Sequence, residues 1–325
     1  MQTKPRIDQT DAKILKTLLR EARTSFTKMA KDCGISIGAV RMRYKRLWKE
    51  GIINGEIMLV NPHSLGFEHV IDLGITTTPE KEKEVTEFLE SKYKHVSVAG
   101  HFGKYNVFAV AAFHNTQELT DAIQDLESNP NVKRIETMIW ADSVYMEHME
   151  KLAFGPLGTT ETPNKTLPSA TTREEARMDQ VDRQIARKLS QNARTPFRRI
   201  AQELGISTKN VIHRYKKLRG PVLTLSTITV DLRKLGYQAF AFFYAKVSRS
   251  KMPEIYSEMI KMPNLVVIIK HIGTYDMHGT VFLHSFEDLF EATESIRRIP
   301  GMEHVEIYVT PVWERWPPNL FVSLL

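Results

Sequence analysis

Two segments of the chain carry cationic and amide side chains at spacings that would place them on one face of an α-helix. Arg41, Lys45 and Lys49 recur every four residues, and Lys209 and Asn210 open a similar segment later in the chain. Guanidinium and carboxamide groups can read base edges in the major groove, and lysines bind phosphates. These residues therefore predict contacts with double-stranded DNA. The predicted DNA-binding residues are Gly38, Ala39, Arg41, Met42, Lys45 and Lys49 in the first segment, and Lys209, Asn210, Ile212, His213 and Lys216 in the second.

The opposite face of each predicted helix is apolar, so it can pack on a core. Val40, Tyr44 and Leu47 repeat at helical spacing. Just before them, Gly34 can take the left-handed conformation that ends one helix, and Ser36 can cap the next. This layout of helix, short turn and second helix predicts a helix-turn-helix whose last helix enters the major groove. The second segment repeats it with Gly205, Ser207, Val211, Tyr215 and Leu218.

The chain of 325 residues is an internal duplication. The segments Asp8–Leu47 and Asp179–Leu218 align with each other without a gap, and 18 of the 40 aligned pairs are identical. The repeat continues more weakly downstream, where Gly103–Asn106 matches Gly273–Asp276. The predicted organisation is a first helix-turn-helix domain at 1–60, a first α/β domain at 61–150, a linker rich in Thr, Pro and Gly at 151–177, a second helix-turn-helix domain at 178–230 and a second α/β domain at 231–318.

The positive charge is concentrated in the two predicted DNA-binding modules. Residues 4–50 hold 13 Lys and Arg against 5 Asp and Glu, and residues 173–219 hold the same numbers, so each module carries +8. The whole chain carries only +7, which leaves −9 on the remainder. Two basic modules in an acidic body favour local neutralisation of phosphates over diffuse basicity. A merely solvated basic helix face is the alternative.

Other function classes receive little support from the composition. Cys33 is the single cysteine, and no Cys/His cluster has the sequence spacing of a zinc site, so we expect no disulfide, metal, cofactor or catalytic residues. No apolar stretch is long enough to span a membrane, and the N-terminus lacks the apolar region of a signal peptide. We expect a cytoplasmic, nucleoid-associated protein without a membrane partner.

The segment after the first predicted recognition helix suggests a wing. Asn54 and Gly55 stand between apolar residues, and Asn-Gly is a strong signal for a two-residue β-hairpin. The second copy has Gly220 and Pro221 instead, so we expect an altered wing there.

These motifs resemble those of the Lrp/AsnC, or feast/famine, family of transcription regulators. The shared pattern comprises Asp8, Asp11, Ala22-Arg23-Thr24, Gly34-Ile35-Ser36, Arg43, Leu47 and Gly51–Gly55. The resemblance implies an α+β fold with two winged helix-turn-helix domains and two ferredoxin-like βαββαβ effector domains in tandem. It also implies an archaeal type of regulator. Family members usually carry one copy and dimerise, so this chain resembles a fused pseudo-dimer, and homo-oligomers of such chains are expected.

The resemblance also suggests a site for a small effector such as an amino acid. In the family, effectors bind beside a Gly-x-Tyr-Asp loop between paired sheets. Carried over, this implies Gly103, Tyr105 and Asn106 in the first copy and Gly273, Tyr275 and Asp276 in the second. Asn106 departs from the usual acid, which puts the first site in doubt. The alternative is that the glycines only form the turn between two strands.

Hydrophobic periodicity independently predicts the βαββαβ order in the first α/β domain. The predicted elements are strands at 67–77, 96–100, 105–113 and 132–139 and helices at 80–93 and 116–126, with a second copy from 238 to 312.

Two alternative functions remain open. One is a siroheme decarboxylase-like enzyme, since such enzymes resemble this fold and occur as fused halves; His101 and His271 align between the copies, as do His114 and His284. However, no His-Asn-Tyr-x-Arg type motif is present, and the helix-turn-helix pattern is retained. The other is an architectural protein that binds DNA with low sequence specificity.

Overall fold

A computed structural model describes residues 7–93, 96–100, 104–141 and 174–325. The predicted α+β class is confirmed, with a three-helix unit and a βαββαβ unit in each half. In the first half the elements are α1 (Gln9–Arg20), α2 (Phe26–Cys33), α3 (Ile37–Lys49), β1 (Ile53–Val60), β2 (His69–Thr77), α4 (Glu82–Lys92), β3 (Val96–Gly100), β4 (Val107–Phe113), α5 (Thr116–Glu127) and β5 (Val132–Trp140). In the second half they are α6 (Gln180–Gln191), α7 (Phe197–Leu204), α8 (Thr208–Leu218), β6 (Leu223–Val230), β7 (Ala239–Val247), α9 (Met252–Met259), β8 (Leu265–Gly273), β9 (Met277–Leu283), α10 (Phe286–Arg297) and β10 (Met302–Pro311).

Local capping sets the boundaries of the helices in each three-helix unit. Asp8 and Asp11 form a reciprocal capping box at the start of α1. Gly34 ends α2 with a φ of 67°, a left-handed conformation that glycine adopts without a steric penalty. Ser36 then caps α3 by accepting a hydrogen bond from the Ala39 N–H. The predicted turn between α2 and α3 is confirmed.

The prediction of a wing hairpin at Asn54-Gly55 is wrong. Both residues lie inside β1, and neither has the positive φ that the expected turn requires. Instead, β1 pairs antiparallel with β6 of the other half, from Ile53 opposite Val230 to Val60 opposite Leu223. Gly55 is packed against Thr229, whose hydroxyl donates a hydrogen bond of 2.7 Å to Asn54 Oδ1. A partner strand from the second copy therefore takes the place of a local hairpin.

The two βαββαβ units form one eight-stranded sheet in the order β10-β7-β9-β8-β5-β2-β4-β3. Each unit has the ferredoxin-like order, with its first and third strands in the centre. The units join where β5 pairs with β8, for example Trp140 with His271. Helices α4 and α5 cover one face of the first unit, and α9 and α10 cover the corresponding face of the second.

The opposite faces of the two units meet each other in the main core. Phe108 and Phe242 stack across this contact at 6.1 Å between ring centroids, and Tyr105 stacks on Tyr308 at 5.4 Å. The same core extends to β1, β6 and the three-helix units. The C-terminal residues join this assembly, because Asn319 donates hydrogen bonds to the carbonyls of Met58 and Ser190. Both halves therefore share one apolar interior.

The shared ribbon of β1 and β6 should be essential for stability. Ile228 lies on β6, is fully buried, and pairs with Glu56 of the other half. Ile228→Ala should lower the free energy of unfolding by about 2–5 kcal/mol, because it leaves a cavity in the common core. Urea denaturation measures this change. Ile272→Ala is the matched control, since Ile272 is 58% exposed; equal effects of the two substitutions would contradict the shared core.

Candidate nucleic-acid interface

The apolar face of each recognition helix is anchored to its own domain. Val40 and Leu47 of α3 are fully buried, as is Val211 of α8, and Leu218 of α8 is nearly so. Ser207 caps α8 as Ser36 caps α3, accepting a hydrogen bond of 3.1 Å from the Asn210 N–H. Because one face of each helix is fixed, the orientation of the opposite face is fixed too.

The sequence-predicted DNA-binding residues lie on the outer faces of these two helices. Met42 is a large apolar side chain with 68% of its surface exposed. The outer face of α3 and the outer face of α8 are accessible to solvent along the helix. In α3, Gly38, Arg41, Met42, Lys45 and Lys49 are exposed and Ala39 is half-buried, and in α8 Lys209, Asn210, Ile212, His213 and Lys216 are all exposed.

Two arginines on the recognition helices serve to position them. Arg43 of α3 contacts Asp8 and Asp11 at 2.6 and 2.9 Å, which ties α3 to the capping box of α1. Arg214 of α8 bonds Asp179 and Asp182 at 2.7 Å each. A backbone hydrogen bond from Asp182 and the side chain of Arg214 together lower the pKa of Asp179 below its usual range. Asp179 therefore remains ionised at neutral pH, and each arginine ties its recognition helix to a capping box.

Neighbouring side chains also restrain two of the predicted base-contacting groups. Arg214 Nε donates a hydrogen bond of 3.0 Å to Asn210 Oδ1, so the carboxamide of Asn210 is oriented before any partner binds. The Arg41 guanidinium lies 5.8 Å from the ring centroid of Phe26. Such restraint reduces the side-chain entropy lost on binding.

A reciprocal pair of arginines joins the two three-helix units. Arg23 Nη1 donates to the carbonyls of Ala193 and Thr195 in the second half, and Arg194 Nη1 donates to those of Ala22 and Thr24 in the first. We call Arg23 and Arg194 with these acceptors the arginine clasp. Each guanidinium also stacks on an aromatic ring of the opposite unit: Arg23 lies 4.1 Å from the centroid of Phe197, and Arg194 lies 4.8 Å from that of Phe26.

Sequence reasoning identified the Ala-Arg-Thr repeat but missed its role. The segments that carry Arg23 and Arg194 also dock on the opposite strand, because the Ala22 N–H bonds the carbonyl of Ser226 and the Ala193 N–H bonds that of Glu56. The clasp and the ribbon of β1 and β6 thus fix α3 relative to α8. The signal in the sequence was that the motif is identical in both copies. Two equivalent arginines related by a pseudo-twofold axis can each bond the backbone of the other's motif.

The predicted effector residues are already engaged in internal contacts. Tyr105 is buried and donates a hydrogen bond of 2.6 Å to Glu136. Lys104 lies 2.8 Å from Glu136 and 3.3 Å from the Tyr275 hydroxyl, so it brings the tyrosines of the two halves to one place. Burial and the hydrogen bond to Glu136 raise the pKa of Tyr105 well above its usual range, so the hydroxyl stays protonated as a donor.

Of the remaining predicted effector residues, Asn106 and Asp276 lie directly before β4 and β9, and Gly273 ends β8. Asn106 accepts a hydrogen bond of 2.9 Å from the Thr77 N–H, and Asp276 accepts one of 3.1 Å from the Val247 N–H. These are equivalent contacts in the two halves, so the amide and the acid perform the same local task. Gly273 approaches the first half closely, because a Cβ there would lie 2.4 Å from the Thr137 carbonyl oxygen. Gly103 lies outside the described residues.

A buried polar cluster between the two halves was not predicted. Asp72 of β2 lies 3.2 Å from His271 Nε2 and 3.3 Å from His278 Nδ1, and it accepts a hydrogen bond of 2.7 Å from Trp140 Nε1. Although burial alone would raise the pKa of Asp72, the two imidazoles hold it well below its usual range. Burial lowers the pKa of His278. His271 was noted in the sequence for its alignment with His101, but His101 lies outside the described residues and no sequence spacing links the cluster.

Comparisons with known proteins agree with the geometry of the three-helix units. Residues 7–54 match the family model of winged helix-turn-helix DNA-binding domains, and residues 178–219 match that of the AsnC-type helix-turn-helix domain. The HTH-type transcriptional regulator LrpA of Pyrococcus horikoshii is 39% identical over 119 residues, which cover 37% of this chain and 84% of the relative. The chain belongs to the Lrp/AsnC family of DNA-binding transcription regulators.

Further comparisons give a second related regulator and a solved structure that matches nearly the whole chain. The HTH-type transcriptional regulator Ptr1 of Methanocaldococcus jannaschii is 37% identical over 113 residues, covering 35% of this chain and 76% of the relative. The crystal structure of the siroheme decarboxylase NirDL matches with a TM-score of 0.65 over 97% of this chain and 96% of that one. At 16% identity, this similarity concerns the fold alone. Among the described residues, no helix is both long and apolar enough to cross a membrane.

The arginine clasp should contribute measurably to stability. Arg23→Ala removes two charge-assisted hydrogen bonds and a stacking contact, so the free energy of unfolding should fall by about 1.5–3 kcal/mol in urea denaturation. Arg23→Lys should restore little of the lost stability, since an ammonium group cannot bond two carbonyls while it is stacked on a ring. Arg198→Ala, on an exposed position of α7, provides the control. Full rescue by lysine would show that charge alone matters and that the clasp geometry does not.

Proposed function

We propose that a single chain acts as a sequence-specific transcription regulator by placing α3 and α8 in two major grooves on one face of a DNA duplex. The observation that carries this proposal is the pairing of two exposed basic helices with a rigid brace, the arginine clasp and the ribbon of β1 and β6. Dimeric helix-turn-helix proteins read half-sites about one helical turn apart, or a multiple of it. In this chain the two recognition helices come from one polypeptide.

The residues on the two helices divide into base-contacting and phosphate-contacting groups. Arg41, Lys209 and Asn210 lie in the N-terminal half of their helices, where groove-inserted side chains meet base edges. Lys45, Lys49 and Lys216 lie further along, and we assign them to phosphates. The exposed apolar side chains of Met42 and Ile212 can contact thymine methyl groups, while Gly38, Ala39 and His213 complete the surface.

The βαββαβ units would then serve as the regulatory and assembly part of the molecule. We assign effector sensing to the region of Gly103, Tyr105, Asn106, Gly273, Tyr275 and Asp276, where Lys104 connects the two halves. An amino acid bound there would have to displace existing internal contacts, which offers a physical route to a change in assembly. Association of these chains into homo-oligomers, and a location on the nucleoid, complete the proposal.

Base and phosphate contacts should respond differently to substitution. Arg41→Ala should reduce discrimination between a specific site and a site altered at one or two base pairs by about 1–3 kcal/mol. Lys49→Ala should weaken binding to all duplexes. It should also reduce the slope of log K against log salt concentration by about 1, because one fewer phosphate is neutralised. Fluorescence anisotropy with specific and mutated duplexes over a range of salt concentrations measures both effects. A uniform loss of affinity in both variants would contradict the assignment of α3 as a reading helix.

The two half-sites should differ in sequence. The exposed residues of α3 and α8 differ at nearly every position, for example Arg41 against Ile212 and Met42 against His213. Selection from random duplexes should therefore return an imperfect palindrome. The double substitution Arg41→Ile and Met42→His, which copies Ile212 and His213 of the second half, should make the selected site more symmetric. Recovery of a perfectly symmetric site with the unmodified chain would contradict the proposal.

We infer that this chain does not carry the decarboxylase activity of its structural neighbour. His114 and His284, which align between the copies, stack on Phe67 and Tyr237 at 4.0 Å each, so they have equivalent packing roles. Incubation with siroheme should leave its absorption spectrum and mass unchanged, and loss of carboxyl groups would support the enzyme instead.

For the architectural alternative, equal affinity for selected and random duplexes at all salt concentrations would be the expected result.

A further inference from the structure

Three potential metal ligands from both halves meet in the interior. Asp72 is contributed by β2 of the first half, and His271 and His278 by β8 and β9 of the second. Asp72 is fully buried, and each histidine is only 5% exposed. Buried ionisable groups are costly unless they are paired or ligate a cation. None of the three residues lies on a DNA-binding helix, and the cluster adjoins the effector residues, because the His271 N–H donates a hydrogen bond of 2.8 Å to the carbonyl of Asp276.

The distances within the cluster fit ligands that share an ion. Asp72 Oδ2 lies 3.2 Å from His271 Nε2 and 3.3 Å from His278 Nδ1, and all three atoms lie within 4.8 Å of one another. For metal–ligand bonds of about 2.0–2.1 Å, the edges of a tetrahedron are about 3.3 Å long. The oxygen–nitrogen separations therefore match the spacing of neighbouring ligands around one metal centre.

His271 Nε2 and His278 Nδ1 lie within ion-pair distance of the Asp72 carboxylate, but neither is aligned as a hydrogen-bond donor to it. Despite the short separations, neither His271 Nε2 nor His278 Nδ1 makes a hydrogen bond, and His271 Nδ1 also has no hydrogen-bond partner. Ligands of one ion direct their lone pairs at the ion and not at each other, so the direct lines between them make poor hydrogen bonds. A buried nitrogen without a hydrogen-bond partner, such as His271 Nδ1, is otherwise destabilising.

Neighbouring groups orient the cluster in the manner of an outer coordination shell. Trp140 Nε1 donates to Asp72 Oδ1 at 2.7 Å, which leaves Oδ2 directed at the histidines. Thr280 Oγ1 lies 3.3 Å from His278 Nε2, so it can hold the proton on that nitrogen and leave Nδ1 free to ligate. The Tyr244 hydroxyl donates a hydrogen bond of 3.5 Å to Asp72 Oδ2 and so adds to the orientation of the carboxylate.

We propose that Asp72, His271 and His278 bind one divalent transition-metal ion, of which Zn²⁺ is the representative, and that the ion links the two βαββαβ units. Two imidazoles and one carboxylate suit Zn²⁺ and its first-row neighbours, whereas Ca²⁺ and Mg²⁺ prefer oxygen ligands throughout. One ion is expected per chain. The equivalent positions of Asp72 and His278 in the opposite halves are Phe242 and Phe108, which cannot ligate.

Metal content and affinity of the full-length chain test this proposal. After treatment with EDTA, the chain should bind about one equivalent of Zn²⁺ in competition with a chromophoric chelator, and Zn²⁺ should raise its Tm. His278→Gln and His271→Gln should each weaken binding by at least about 100-fold, more than is usual for loss of an outer-shell partner. His304→Gln, at an exposed position on β10, should bind like the unmodified chain. Circular dichroism reports whether each variant is folded.

A spectroscopic measurement on the unmodified chain keeps the test decisive if a variant fails to fold. X-ray absorption at the zinc edge should show two imidazoles and otherwise nitrogen or oxygen ligands. The proposal is overturned if the chain binds no Zn²⁺ at micromolar concentration, if the His271 and His278 variants bind as tightly as His304→Gln, or if the spectrum lacks two imidazoles. Because DNA binding is measured separately on the same preparation, failure of the metal site and failure of the proposed function can be distinguished.

Discussion

The structure depends above all on the reciprocal engagement of Arg23 and Arg194. Each guanidinium binds two backbone carbonyls and one aromatic ring of the opposite half, so neither three-helix unit completes its contacts alone. The ribbon of β1 and β6 adds a backbone connection next to the clasp. Together they turn two small domains into one rigid unit with two outward helices. Rigidity matters because binding two fixed grooves is favourable only when both helices are presented at the correct separation.

Covalent fusion lets the two halves diverge while they keep a common frame. Key contacts of the frame recur in both copies, as in the capping boxes that begin at Asp8 and Asp179, because each copy must make the same internal contacts. The recognition surfaces differ, because each meets its own half of the target. The interior differs as well: Asp72 faces two histidines, whereas its counterpart Phe242 stacks on Phe108. A symmetric homodimer would contain two copies of every such feature, whereas this chain can contain one.

Much of the fold could be predicted from the sequence because its signals are local. Capping residues, the turn at Gly34 and the periodicity of the βαββαβ units identified elements close to their observed bounds. The prediction of a hairpin at Asn54-Gly55 was wrong because pairing with β6, about 170 residues away, outweighed the local turn propensity. The arginine clasp and the cluster at Asp72 were missed for the same reason, since their partners meet only after both halves fold together. The outer faces of α3 and α8 were predictable because they follow from helical periodicity alone.

The clasp and the ribbon should hold α3 and α8 at one fixed separation and orientation. Affinity for duplexes in which the spacing between the two selected half-sites increases by single base pairs tests this most directly. Because the brace fixes the separation as well as the orientation, affinity should fall by about tenfold or more when about 5 base pairs are inserted, and it should stay low when a full turn of about 10.5 base pairs is inserted. Affinity that is independent of spacing would contradict the fixed separation, since it would mean that the two recognition helices move freely relative to each other.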